Sequence, residues 1–224
     1  MPGYRTKTES MQVGGVDTRI RSLLDRQQYA DPQGVALRAG ISSASWPLFG
    51  LVWPSALVLA AHVQHVPLGA RRVLEIGCGL ALASLVIHRR QGQVTASDRH
   101  PLAEEFLLEN LRLNAMAALP YRCGDWLGRN PDLGRFDLIV GSDVLYERDQ
   151  PDQLSAFIAR HAQPCVEVII ADPDRGNRPA FHRNMLALGF AHSESRILAM
   201  PAGGGPYRGR LLNYRRQAPG ETGP

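Results

Sequence analysis

Apolar positions fall into two rhythms that take turns from Arg72 onward. Short apolar runs bounded by polar residues predict buried strands at Arg72–Ile76, Gln93–Ser97, Tyr121–Cys123, Phe136–Ser142 and Cys165–Ala171. Segments with apolar residues three and four apart lie between and after them. These predict helices over Leu80–Arg90, Pro101–Ala115, Gln150–His161 and Pro179–Leu188. Strand runs alternating with helical ones imply a parallel sheet covered by helices on both faces and joined by right-handed crossovers. Two more strand runs, Ser193–Ala199 and Arg210–Arg215, flank Pro201–Pro206, a stretch with the composition of a hairpin loop. They add an antiparallel element near one edge. The expected fold is a doubly wound, Rossmann-like α/β domain with a mostly parallel seven-stranded sheet.

Upstream the pattern is weaker. Pro54 suits a first helical turn and opens a helix that runs to Val66, with Leu57, Val58 and Ala61 toward the sheet. The spacing of Ile20, Leu23 and Leu24 predicts a helix over Val16–Tyr29, with Asp17 as its N-cap. Ile41–Trp53 has the composition of a loop. Met1–Gly15 and Gln217–Pro224 are polar and predict loosely attached or disordered ends. The expected organisation is an N-terminal extension over 1–45, one domain over 46–217 and a tail over 218–224. A length of 224 residues suits one α/β domain.

Composition narrows the classes. The longest apolar stretch, Leu51–Val66, contains Trp53, Pro54, His62, Gln64 and His65, and is too short and too polar to span a bilayer. No membrane partner is expected. Met1–Ser10 lack the apolar core of a secretory leader. Cys78, Cys123 and Cys165 are odd in number and sit in or beside predicted strands, which suggests buried, reduced thiols and a cytoplasmic setting. No Cys/His pair has metal-ligand spacing, so no metal site is expected; His62 and His65 fit the surface of a helix. The net charge is +4, and Lys7 is the only lysine among 25 basic residues. That excludes a Schiff-base or phosphate-clamp lysine from the body of the chain. The arginines are scattered rather than clustered with aromatics, so no nucleic-acid partner is indicated.

The richest chemistry lies at Arg72–Leu85. A strand run carrying Glu75 leads into Gly77-Cys78-Gly79 and then into a helical pattern. Strand, glycine turn and helix form the layout of a nucleotide-type site. The position of a third dinucleotide-fingerprint glycine is Leu82. Glu75 is ill placed beside a pyrophosphate and suits a ligand with cationic groups, such as S-adenosylmethionine. Asp98, ending the next strand, could take both hydroxyls of a ribose in either case. Asp125 could accept from an adenine amine, Trp126 could cover the ring, and His100 could line the same pocket. Ser142, Asp143 and Tyr146 close the Phe136–Ser142 strand at the sheet edge where such folds bind ligands. On these residues alone, a dinucleotide and S-adenosylmethionine both stay open.

Three runs together decide more: Val52-Trp53-Pro54-Ser55-Ala56-Leu57, Val73-Leu74-Glu75-Ile76-Gly77-Cys78-Gly79 and Asp143-Val144-Leu145-Tyr146. Between about Trp46 and Phe190 the chain resembles the seven-strand methyltransferases of family 16, which include protein-lysine N-methyltransferases. The resemblance implies S-adenosylmethionine as cofactor. It implies that Trp53 contacts the cofactor, that Glu75, Gly77, Cys78 and Gly79 cradle its methionine side, and that Asp98 holds its ribose. Asp125 and Trp126 would border the adenine, with Ser142 at the edge of the site. Asp143 and Tyr146 would be the catalytic pair framing the acceptor amine. The implied substrate is a lysine side chain of a protein; a small-molecule amine and a non-catalytic binding module on the same fold are the alternatives. Ser142–Tyr146 lack the Pro-Pro-aromatic signature of nucleobase N-methylation, which disfavours that reaction.

Overall fold

A computed structural model describes residues 3–217 of the chain; the tail expected over 218–224 lies outside them. The N-terminal region departs from expectation. Strand β1 (Thr6–Val13) pairs antiparallel with β2 (Val16–Leu23) in full register, from Thr6 opposite Leu23 to Val13 opposite Val16. The helix expected over Val16–Tyr29 is therefore largely replaced by a strand, and the loose segment before it by its partner. Thr18, Ile20 and Ser22 are buried while Asp17 and Arg19 are exposed, a period of two. Gly14 and Gly15 supply the turn at φ of 61° and 80°, the left-handed pair of a two-residue hairpin. Asp17 lies within β2 and caps no helix.

After a short helix α1 (Val35–Arg38) and a 3-10 turn over Trp46–Gly50, the chain enters helix α2 (Pro54–Val63). Strands and helices then alternate: β3 (Arg72–Ile76), α3 (Leu82–Arg89), β4 (Gln93–Asp98), α4 (Ala103–Leu113), β5 (Tyr121–Cys123) and β6 (Phe136–Ser142). Next come α5 (Gln150–His161), β7 (Ala162–Asp172), α6 (Arg178–Ala187), β8 (Ala191–Ala199) and β9 (Pro206–Arg216). The sheet order is β5-β4-β3-β6-β7-β9-β8. β9 runs antiparallel to both β7 and β8, and the other pairs are parallel.

Both faces of the sheet are covered, and the central strands are accordingly mostly apolar, with Glu75 the buried exception in β3. Val73, Leu138, Val140 and Ile169 join one core with α2, α3 and α4. Leu74, Ile76, Ile139 and Ile170 join the other with α5 and α6. The chain winds outward from β3 toward β5 and from β6 toward β8. The carboxyl ends of β3 and β6 thus flank the crevice where doubly wound sheets take ligands.

Residues before 46 belong to the same core. Val13, Ile20, Leu23, Ala36 and Ile41 are buried with it. Tyr4 and Tyr29 pack their rings on Trp46, at 5.7 and 5.9 Å between centroids. The hairpin docks on α4 through side-chain amides: Asn110 accepts from Arg21 N–H at 2.7 Å and donates to Arg21 C=O at 3.3 Å. Asn114 does the same for Arg19, at 2.9 and 2.8 Å. Each asparagine satisfies a backbone pair that lacks a neighbouring strand. Of the three cysteines only Cys78 is buried. Cys123 is exposed because β5 is an edge strand, and Cys165 because it lies in the irregular stretch between the Phe136–Ala162 and Leu138–Glu167 pairings of β6 with β7.

Candidate functional site

The glycine turn is built from backbone that only small residues tolerate. Gly77 and Gly79 have φ of 55° and 51°, and Ala81 has φ 58° just ahead of α3. A Cβ on Gly79 would stand 2.7 Å from the carbonyl oxygen of Phe49, so the Trp46–Gly50 turn lies directly on the loop. Trp53 pins that turn, donating its indole N–H to Leu48 O at 2.8 Å. Cys78 N–H donates to Ser97 O at 3.0 Å and ties the loop to β4.

Two carboxylates hold the loop from opposite sides. Asp98 accepts from Gly79 N–H at 2.8 Å and from His100 N–H at 2.9 Å. Burial raises its pKa while those N–H bonds oppose the rise. Glu75 is only 2% exposed and accepts from Ser84 N–H, in the first turn of α3, at 2.6 Å. It lies behind the loop as an acceptor for the helix N-terminus. Burial pushes its pKa up to about 7.

A cavity of about 440 Å³ opens in front of this loop. Gly77, Cys78, Gly79 and Asp98 line it on the β3–β4 side, and Asp125 and Trp126 border it after β5. Ser142, Asp143 and Tyr146 line it after β6, and Trp53 and Phe49 cover it from the N-terminal side. Eight of the nine residues expected to hold a cofactor are thereby brought together; Glu75 supports the loop from behind.

Phe49 and His100 were not singled out together, yet they form one wall. Their rings stack at 3.6 Å with an interplanar angle of 11°. Burial lowers the His100 pKa to about 3, so the ring is neutral. Nδ1 accepts from Leu102 N–H at 3.2 Å, which leaves the proton on Nε2, and Nε2 has no hydrogen-bond partner. A buried donor without an acceptor beside a half-buried Asp98 fits a ligand carrying hydroxyls or ring nitrogens.

A second, more open cavity of about 870 Å³ adjoins the first. Trp53, Asp143, Tyr146 and Arg175 line both, and Asn177, Met200 and Tyr207 line the second alone. Asp143 has φ 54° and donates its N–H to Ala171 O at 2.9 Å, so its carboxylate turns into the junction. There Arg175 donates Nε to Oδ1 at 2.6 Å and Nη2 to Oδ2 at 2.9 Å. Arg175 was missed by sequence reasoning; its position in Asp172-Pro173-Asp174-Arg175, just past β7, was the available signal. The Tyr146 pKa is raised chiefly by burial, so the phenol stays uncharged at neutral pH.

A seven-stranded sheet with one reversed strand, a glycine loop after its first central strand and an acid ending the next define the class I methyltransferase fold. Magnesium protoporphyrin IX methyltransferase of Synechocystis, solved with bound S-adenosylmethionine, aligns with a TM-score of 0.55 at 19% identity, covering 73% of this chain and 78% of that one. A family described as lysine methyltransferase matches residues 46–186, more than half of the chain, and the chain belongs to that family. The electron transfer flavoprotein beta subunit lysine methyltransferase of Xenopus laevis is 30% identical over 133 residues, 58% of this chain and 53% of the relative. Protein N-lysine methyltransferase METTL21A of Danio rerio is 35% identical over 116 residues, 46% of this chain and 52% of the relative. The matched regions span about half the length of these relatives.

Proposed function

We propose that the protein is an S-adenosylmethionine-dependent N-methyltransferase whose acceptor is a lysine side chain of a protein. The observation that carries this is the meeting of the two cavities at Trp53, Asp143, Tyr146 and Arg175. One is enclosed by the glycine loop, Asp98 and the Phe49–His100 wall; the other is open enough for a side chain delivered from a polypeptide surface. Family membership and the lysine methyltransferases among the relatives support the same reading.

In this reading Gly77, Cys78 and Gly79 hold the methionine side of the cofactor, Asp98 its ribose, and Asp125 with Trp126 its adenine. The cofactor supplies an electrophilic methyl group on a sulfonium. The protein contributes alignment and exclusion of water, and alignment alone can be worth about 7–11 kcal/mol of barrier. A lysine acceptor must arrive at the transfer step as the neutral amine, although its free pKa is about 10.4. The ammonium therefore loses its proton to water through the open second cavity before the transfer step. Tyr146, uncharged, orients the amine by hydrogen bonding, and Asp143 presents the carboxylate edge of the junction.

The test is incubation of the full chain with tritiated S-adenosylmethionine and a cell lysate, alongside calorimetry of cofactor binding. A labelled protein band that is lost in Asp143→Ala and in Tyr146→Phe is the expected result. Label confined to small solutes would move the acceptor to a small-molecule amine, and absence of cofactor binding would leave a non-catalytic module.

A further inference from the structure

Asp143 is the carboxylate best placed to meet an incoming amine, yet both of its oxygens are already engaged by Arg175. We propose that Arg175 is the resident occupant of a cation subsite formed by Asp143, and that the acceptor side chain enters by exchanging with its guanidinium. The inference rests on the acceptor-site reading above and assigns the chemistry of that site: it selects a cationic side chain.

Three observations support exchange over a permanent clamp. First, the pair is lopsided in exposure. The Asp143 side chain is 9% exposed and that of Arg175 is 39% exposed, so the guanidinium sits on the solvent side, where a competing cation would approach. That open side gives a competing cation access to a pair whose two-point geometry is strong, so exchange requires an incoming side chain that brings contacts of its own. Second, the backbone carrying Arg175 is anchored independently of its side chain. Arg175 N–H donates to Asp172 Oδ1 at 2.9 Å. Asn177 donates to Leu145 O at 2.9 Å and Glu147 O at 2.8 Å, tying the loop to the segment that bears Tyr146. The side chain can therefore leave Asp143 without unravelling the loop. Third, Arg175 borders the second cavity, whose volume of about 870 Å³ can receive a displaced side chain.

While Arg175 is bound, its guanidinium offsets the charge of the Asp143 carboxylate. A free ammonium ion that gains only one ion pair by displacing another gains little. A side chain delivered by a docked polypeptide brings further contacts and completes the exchange, which favours a protein acceptor.

The experiment compares full-length wild type, Arg175→Ala and Arg175→Ala/Asp143→Asn, with methylguanidinium as the probe, followed by calorimetry and ligand-observed NMR. Arg175→Ala is expected to bind methylguanidinium about fivefold more tightly than wild type, equivalent to about 1 kcal/mol, and the double variant to lose that gain. In methyl transfer, Arg175→Ala is expected to lower the acceptor KM, with Arg175→Lys between it and wild type. Equal methylguanidinium binding by wild type and Arg175→Ala would overturn the proposal. So would a raised acceptor KM with a fallen kcat, which would make Arg175 a fixed support for Asp143. Arg175→Gln, close in size, replaces the alanine variant if that one does not fold. The methylguanidinium comparison needs no cofactor, so failure of wild type to bind S-adenosylmethionine would count against the proposed function and not against the subsite.

Discussion

At the scale of single residues, Glu75 yields the sharpest expectation. Its carboxyl is pushed from the ordinary 4.5 to about 7 by burial behind the glycine loop. Between those pH values the native state keeps a proton that the unfolded chain has released, so this group's contribution to stability falls as pH rises from about 4.5 to 7. Glu75→Gln retains an acceptor for Ser84 N–H without the charge. The stability of the variant relative to wild type should therefore increase by up to about 3 kcal/mol between pH 5 and pH 8 in chemical denaturation. A difference that does not change with pH would refute the assignment. Gly79→Ala tests the other side of the loop. An added Cβ at φ 51° meets the Phe49 carbonyl at 2.7 Å. The strain should cost about 1–3 kcal/mol of stability. It should also weaken cofactor binding in calorimetry, because the Trp46–Gly50 turn must shift. The places of Gly77 and Gly79 were legible from sequence because one short strand–turn–helix motif dictates them, and that of Asp98 because it ends the next strand. Whether Glu75 faced the cavity or the helix was not, since both lie within reach of the end of β3. The role of Arg175 was not legible for a different reason: its partner Asp143 lies 32 positions away, and only the pairing of β6 with β7 brings the two loops together.

At the scale of elements, the central sheet was legible because buried parallel strands leave short, mostly apolar runs between helical segments. The expected bounds of β3, β5, β6 and α5 coincide with those observed. The N-terminal hairpin was misread as a helix because Ile20, Leu23 and Leu24 also satisfy helical spacing. The Gly14-Gly15 turn and the alternation of Thr18, Ile20 and Ser22 were the contrary signals. Part of what holds the hairpin has no hydrophobic signature at all: the amides of Asn110 and Asn114 replace a missing neighbour strand. Asn110 is fully buried. Asn110→Ala leaves the N–H and C=O of Arg21 without partners and should cost about 2–3 kcal/mol, with a smaller loss for the more exposed Asn114→Ala. Hydrogen exchange should show protection falling selectively at the Arg21 amide and its neighbours in β1 and β2. Uniform loss across the main sheet would instead mean that the hairpin unfolds only with the whole domain.

At the scale of the molecule, the cofactor cavity is where separate parts of the chain converge. The β3 loop, the end of β4, the segment after β6 and the Trp46–Gly50 turn, itself packed on Tyr4 and Tyr29, all border or support it. A ligand bound there ties these parts together and stabilises the fold as a whole. S-adenosylmethionine at a hundredfold excess over its Kd should add about 2.7 kcal/mol. For a domain of this size that corresponds to a rise of about 5–10 °C in Tm. Asp98→Ala removes the acceptor for Gly79 N–H and His100 N–H as well as the proposed ribose ligand. Its Tm without ligand should therefore fall, and that fall alone says nothing about binding. The informative quantity is the ligand-induced shift, which should shrink toward zero in Asp98→Ala at the same cofactor concentration and stay intact in Asn110→Ala, whose lesion lies in the hairpin. An undiminished shift in Asp98→Ala would remove the ribose from this carboxylate and with it the orientation of the cofactor in the cavity.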